Sequence, residues 1–132
     1  MLFLILLWMI FNHVIDDYFL QGILATLKQK DYWISESIKK EEDFDKSIYK
    51  YDYLMALFMH SFSWAFMIML PLAIYLNFRM NIAVFISIFI LNLIIHFYTD
   101  NAKANFKVIN LCQDQFIHMI QIFTTWLIIL FI

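Results

Sequence analysis

Three pairs of residues in this chain repeat one spacing. His13 and Asp17, His96 and Asp100, and Asp114 and His118 each stand four residues apart, so each pair shares one face of a helix. A fourth histidine, His60, stands alone, while Gln21 and Lys103 extend the first and third faces by another turn. Imidazole nitrogen and carboxylate oxygen together suit zinc, with manganese or iron as alternatives. Helical bundles build metal sites by projecting such side chains inward from facing helices. A divalent cation held by a subset of His13, Asp17, His60, His96, Asp100 and His118 would lower the pKa of its water to about 7, giving a nucleophile at neutral pH. Asp114 or Asp17, whichever is not a ligand, is then the candidate general base. The competing reading is a structural polar network, since an i,i+4 His–Asp pair also arises where a buried ring is merely hydrogen-bonded. Between membrane helices such bonds average only ~0.6 kcal/mol.

The surroundings make these residues conspicuous. The 132-residue chain is 64% hydrophobic, with 15 Phe, one Gly and one Pro, and its mean hydropathy is +0.74. A soluble domain is typically about 45–50% apolar. The composition therefore indicates an integral membrane protein, and an ionisable side chain inside such a protein is costly enough to suggest a use. A net charge of −2 carries no information about partners beyond the bilayer, and nothing points to nucleic acid. The single cysteine, Cys112, cannot close an intrachain disulfide and is expected to be a buried filler.

Four apolar segments are expected to form the elements, over residues 2–27, 53–76, 82–98 and 111–132. Each is near the ~20 residues that cross ~30 Å of hydrocarbon. The fold expected is all-α: one membrane domain over residues 1–132, a polytopic four-transmembrane-helix bundle. The opening MLFLILLWMIF has no basic leader and no small-residue cleavage site, so it reads as a retained span. Pro71 is a candidate kink near the end of the second helix, and residues 76–81 form a tight turn. Residues 28–52 hold six Lys and seven acids, close to neutral and unlike a polybasic lipid-binding patch. This charged loop reads either as a surface helix with Trp33, Ile34, Ile38, Phe44 and Ile48 on one side or as a solvated connector. It is also a candidate contact for a protein partner.

Lysine and arginine set the orientation. Lys28, Lys30, Lys39, Lys40, Lys46, Lys50, Lys103 and Lys107 fall in the loops of one side and Arg79 alone in the other. Both charged loops are thus expected in the cytoplasm and both termini outside, in a bacterial cytoplasmic membrane. On that topology each helix carries one histidine at a common depth, within roughly 5–20 Å of the inner boundary at ~1.5 Å rise per residue. Asp16 is expected to face a cytosolic crevice or to meet a lysine. Trp8, Trp64 and Trp126 read as apolar fillers or interface residues, and the eight methionines as packing.

These residues resemble the domain of unknown function 3307 family of small bacterial and phage integral membrane proteins. Its motifs read here as HVIDDYFLQ (His13, Asp17, Tyr18, Leu20, Gln21), FMHSF (His60), HFYTDNAK (His96, Asp100, Lys103) and DQFIH (Asp114, Gln115, His118). The resemblance spans nearly the whole chain and implies that these positions form one site, without supplying an activity. Asp114, Gln21, Lys103 and Gln115 are accordingly the candidate catalytic residues beside the six candidate metal ligands. Lys103 could meet a phosphate or carboxylate, or simply anchor at the headgroup boundary.

The leading expectation is a membrane-embedded, metal-dependent hydrolase working near the cytoplasmic leaflet on a lipid or lipid-linked phosphate ester. The alternatives are a small transporter or ion-binding module, and a regulatory or immunity-type membrane protein whose polar layer is structural. Stretches such as MLFLILLWMI and TTWLIILFI leave the outer half nearly free of ionisable groups, which favours a blind pocket over a channel. Oligomeric state is not legible.

Overall fold

A computed structural model describes residues 2–39, 48–77 and 81–131. The elements are α1 (Leu2–Ile15) running into a π-helical segment (Asp16–Leu20), α2 (Leu24–Leu27), α3 (Lys30–Lys39), α4 (Asp52–Tyr75), α5 (Ile82–Asn101) running into a second π-helical segment (Ala102–Phe106), and α6 (Leu111–Leu130). No strand forms among the described residues. Three helical stretches, Leu2–Leu20, Asp52–Tyr75 and Ile82–Phe106, are long and apolar enough to cross a membrane. α6 is 20 residues long, but Gln113, Asp114, Gln115, His118 and Gln121 dilute the apolar character of its first half.

Several boundaries differ from those expected. The first helix does not run to residue 27: the chain turns at Gly22, whose φ of +44° lies in the left-handed region that glycine enters without a Cβ clash. The third helix continues past residue 98 through Asn101 and its π-helical extension, so Asp100 and Lys103 are helical. Of the two readings of residues 28–52, a helix does form, α3 over Lys30–Lys39. Residues 40–47 of that stretch, residues 78–80 of the turn (with Arg79) and residue 132 lie outside the described residues.

The ends of α5 and α6 have local causes. Asn81 caps α5 by accepting from the Ala83 N–H at 2.9 Å. Asn110 and Gln113 form a reciprocal capping box at the start of α6, each side chain accepting from the other's backbone N–H at 2.9 Å. Such caps satisfy amides that have no partner within the helix. The α6 box also fixes where Asp114 and His118 fall on the helix.

α4 is the central helix, packed along α1 and α5, while α6 lies across α1 and α5. The apolar core joins Met9 of α1, Trp64, Ile68 and Met69 of α4, Ile88 of α5 and Ile122 of α6. α4 continues through Pro71. Proline lacks the N–H that would bond the carbonyl four residues earlier, which leaves the Met67 carbonyl free. Asn12 of α1 donates its amide to that carbonyl at 2.8 Å. The proline thus creates an acceptor that ties α1 to α4.

Candidate metal centre

The four helices bring their polar residues to one layer. His13, His60, His96, His118, Asp16, Asp17, Asp100 and Asp114 are all buried. His13 of α1 bonds side chains of α4 and α6. The Trp64 indole N–H donates to its Nδ1 at 2.7 Å. An indole nitrogen can only donate, so Nδ1 is the acceptor and the His13 proton rides on Nε2. That nitrogen donates to Gln115 Oε1 at 3.0 Å. The Gln115 amide is thereby turned to donate to Asp17 Oδ2 at 3.2 Å and Asp114 Oδ2 at 3.1 Å.

His60 and His96 face each other. Their Nε2 atoms are 3.2 Å apart, and His60 Nε2 lies 3.3 Å from both Asp17 Oδ1 and Asp100 Oδ2. His96 Nε2 is 3.9 Å from Asp17 Oδ1 and 3.9 Å from Asp100 Oδ1. Ligands at the ~2.0–2.1 Å typical of zinc–imidazole and zinc–carboxylate bonds stand about 3.3–3.4 Å apart in a regular tetrahedron. The spacing of Asp17, His60 and His96 is therefore close to a coordination sphere. These three residues, and likewise His96, Asp100 and His118, place one donor atom each within 4.8 Å of one another.

His118 completes the layer. Its Nδ1 lies 3.5 Å from Asp17 Oδ2, and its Nε2 lies 3.8 Å from Asp100 Oδ1 and 3.9 Å from Asp114 Oδ1. Stacking holds the rings in place: Trp64 on His96 at 4.1 Å, and His96 on His118 at 4.2 Å between centroids. None of the three i,i+4 pairs is itself a hydrogen bond, since their closest N···O distances are 3.7–3.9 Å. Each pair instead points into a shared space.

Two ammonium groups border that space. Lys28 Nζ donates to Asp100 Oδ2 at 2.5 Å, and Lys103 bonds Asp114 Oδ2. Lys28 is itself buried. Its corner is pinned by Asn105 of the second π-helical segment, which donates to the Lys28 carbonyl at 3.1 Å and accepts from the Lys30 N–H at 2.7 Å. On the other side, Ser63 donates to Asp16 Oδ1 at 2.6 Å. Asp16 Oδ2 then stands 3.8 Å from His60 Nδ1, behind the ring face that meets the other ligands.

No protein-family model, curated protein or solved structure matches this chain. What the layer can do must come from its own atoms. Asp17 Oδ1, Asp100 Oδ1, Asp114 Oδ1 and His118 Nε2 are buried without a protein hydrogen-bond partner. A buried polar group left unpaired costs about 1–3 kcal/mol, and more when charged. Four atoms of this kind aimed at one space fit a cation.

Several expectations need correction. The Gln21 side-chain amide donates to the Asp17 carbonyl, its Oε1 is buried without a partner, and its backbone N–H closes the π-helical segment on the Asp16 carbonyl. His13 is grouped with Asp17 and His118 as a set whose donor atoms lie within 4.8 Å of one another, while its two ring nitrogens are bonded to Trp64 and Gln115. Asp16 faces neither a crevice nor a lysine but Ser63 and His60. Trp64 is no simple filler, because it fixes the His13 tautomer and stacks on His96. Lys103 bonds Asp114 and is only 26% exposed. Cys112 is exposed, not buried. Lys28, Ser63 and Asn105 carry no signal in the sequence that points to the layer; Lys28 merely stands at the edge of the charged stretch, one short helix beyond Gln21.

Proposed function

We propose that this chain is a four-span membrane protein that binds one divalent cation, most simply zinc, in its polar layer. We further propose that it uses the cation to hydrolyse an ester near the cytoplasmic leaflet. The observation that carries the metal is the set of partnerless atoms, Asp17 Oδ1, Asp100 Oδ1, Asp114 Oδ1 and His118 Nε2, beside the facing Nε2 atoms of His60 and His96. Charge supports the stoichiometry. The buried carboxylates Asp16, Asp17, Asp100 and Asp114 face two ammonium groups, Lys28 and Lys103. With neutral imidazoles this leaves two negative charges, which one divalent cation balances. Isolated charges in low dielectric are too costly to stand uncompensated.

The division of ligands supports catalysis. Lys28 holds Asp100 back, leaving two imidazoles and one carboxylate as ligands and a fourth position open, which is the pattern of catalytic rather than structural zinc. A cation so held would make its bound water acidic enough to act at neutral pH. Beside these ligands His118 Nε2 lies 3.8 Å from Asp100 Oδ1 and 3.9 Å from Asp114 Oδ1. One of these groups would accept the water's proton as its oxygen bonds the ester centre, and would return that proton to the alcohol whose bond breaks. Asp16 Oδ2 stands 3.8 Å behind His60 Nδ1, the side from which an outer carboxylate commonly orients a metal-bound histidine. Gln115 and His13 hold Asp17 and Asp114 in place.

The alternative of a transporter needs ionisable groups to continue outward. Here the buried polar residues beyond the layer, Asn92, Gln121 and Thr125, are neutral and bond one another, and Trp64, Ile68 and Ile122 are fully buried. The partly exposed Lys103 is on the opposite side, consistent with a single entrance. The resemblance to the domain of unknown function 3307 family would make the same positions a shared site, and the lysine distribution would place the entrance in the cytoplasm.

The first test is elemental analysis of protein purified without chelator. We expect about one zinc per chain, reduced to background in His60→Ala and His96→Ala. Metal-dependent release of phosphate from a short-chain phosphatidic acid, lost in the same variants, is the expected activity. A chain free of metal after purification and after zinc titration would sink the proposal. Orientation is testable by cysteine labelling at Lys30 in a Cys112→Ser background, with modification expected from the cytoplasmic side only.

A further inference from the structure

An apolar groove of about 330 Å³ lies between α1 and α6, lined by Leu6, Ile10, Met119, Ile120, Ile122 and Phe123. Its volume is in the range of small-molecule sites, about 300–1,000 Å³. Leu6 and Ile122 are buried and form its floor, while Ile120 and Phe123 are 51% and 48% exposed at its rim. The position of its inner end is informative. Ile10 is one turn from His13, and Met119 is one turn from Gln115, on facing helices. The His13–Gln115 bond at 3.0 Å spans the same two helices at that level. Gln115 is only partly buried, so the groove runs into the edge of the polar layer at this bond.

We infer that the α1–α6 groove holds one acyl chain of a membrane phospholipid whose phosphate-ester head reaches the polar layer at Gln115. The inference rests on the hydrolase reading above and names its substrate class. Three observations combine. α1 belongs to a stretch apolar enough to cross a membrane, so hydrocarbon chains are the medium around this groove. The lining contains no polar residue, so a hydrocarbon loses no hydrogen bond on entering. At the inner end Gln115 and the partly exposed Lys103 both bond Asp114 Oδ2, which brings an ammonium group suited to an anionic head to that level. An amphipathic molecule is matched at both ends, whereas a soluble phosphate ester would leave the groove unused.

The experiment uses full-length protein in nanodiscs containing phosphatidylglycerol with a photoreactive diazirine in one acyl chain. After irradiation, labelled residues are mapped by mass spectrometry. Labelling concentrated several-fold on Ile10, Met119, Ile120 and Phe123, above the comparably exposed Ile86 and Ile90 of α5, is expected. Ile120→Trp should fill the groove and remove that excess while zinc content stays unchanged. Phe123→Ala, which widens the groove, should keep it. Equal labelling of groove and α5 residues means bulk lipid only and overturns the inference. So does an excess that survives Ile120→Trp in a folded, zinc-bound protein. Groove labelling in protein that binds no zinc would instead leave the lipid site standing and remove the hydrolase.

Discussion

The bundle contains two polar layers, and they differ in kind. The outer one is neutral. Asn92 of α5 donates to Thr125 of α6 at 2.9 Å and to the Ile88 carbonyl at 3.1 Å, while Gln121 donates to the Asn92 carbonyl at 2.6 Å and to its side-chain oxygen at 2.9 Å. Asn12 does the same for α1 and α4 through the carbonyl freed by Pro71. Of this layer only Gln121 Oε1 is without a partner. The inner layer is ionisable and leaves several donor atoms unpaired. A network built only to hold helices together closes on itself, as the outer one does. The inner layer does not close, and the simplest closing element is a cation.

The largest effect should come from removing that element. Chelation, or His96→Ala, should strip the cation and lower stability together. If free metal normally exceeds Kd about 1,000-fold, the loss is about 4 kcal/mol, added in the variant to the cost of emptying a fully buried site. Thermal unfolding with and without chelator measures it. A melting curve of the parent protein indifferent to chelator would show the inner layer to be glue like the outer one.

Lys28→Met should act with opposite signs on two readouts. The Lys28 ammonium occupies Asp100 Oδ2 at 2.5 Å and competes there with any cation. Without it Asp100 is a buried charge lacking its partner, a loss of about 3–5 kcal/mol in metal-free protein. Metal affinity should rise, since Asp100 becomes a free ligand. Calorimetric zinc titration beside the apo melting temperature separates the two. Affinity falling with stability would make Lys28 part of the site's support rather than a competitor.

How much of this contrast was readable in advance follows from helical spacing. The i,i+4 pairs fix a shared face wherever a helix forms, so His13, His96 and His118 were placed with their aspartates by sequence alone. Lone His60 needed only the depth argument. Contacts set by loops and long side chains carry no periodic signal. Lys28 arrives because Gly22 turns the chain and Asn105 pins the corner. Asp16, next to Asp17, is distinguished only by Ser63 on another helix. The outer layer is harder to read because Asn92, Gln121 and Thr125 are neutral, single residues in two apolar segments, and such residues are common between membrane helices. Trp64 looks like any core aromatic until its indole N–H is seen on His13.

A smaller effect is expected at Asp16, which touches His60 rather than the shared space. Asp16→Asn keeps the bulk and the Ser63 bond but removes the charge behind the ring. Outer partners of metal-bound histidines typically change affinity by 10–100-fold. We expect zinc affinity to fall within that range with the fold intact. In the outer layer, Asn92→Leu should cost roughly 0.6–1.7 kcal/mol and leave zinc content untouched. A change in zinc binding from Asn92→Leu would mean that the two layers are coupled and the comparison too sharp.

The smallest effect is expected outside both layers, at the ion pair between Lys107 and Asp31, 2.7 Å apart with both side chains about two-thirds exposed. The Lys107 ammonium holds the Asp31 carboxyl below its usual range. A carboxyl depressed in the folded state stabilises above its unfolded pKa, near ~3.9 for aspartate, and loses that contribution as pH falls through the lower folded value. Above pH 5 the pair should therefore be fully formed and pH-independent, and salt should screen it. Asp31→Asn should shift the melting temperature by less than Asn92→Leu, and the difference should vanish at 1 M salt and shrink as pH falls below the ordinary aspartate value. The pair joins α3 to the segment following the second π-helical turn, near the corner that Asn105 fixes. A large drop in both stability and zinc content from this exposed change would mean that the position of α3 governs Lys28, and through it the ionisable layer.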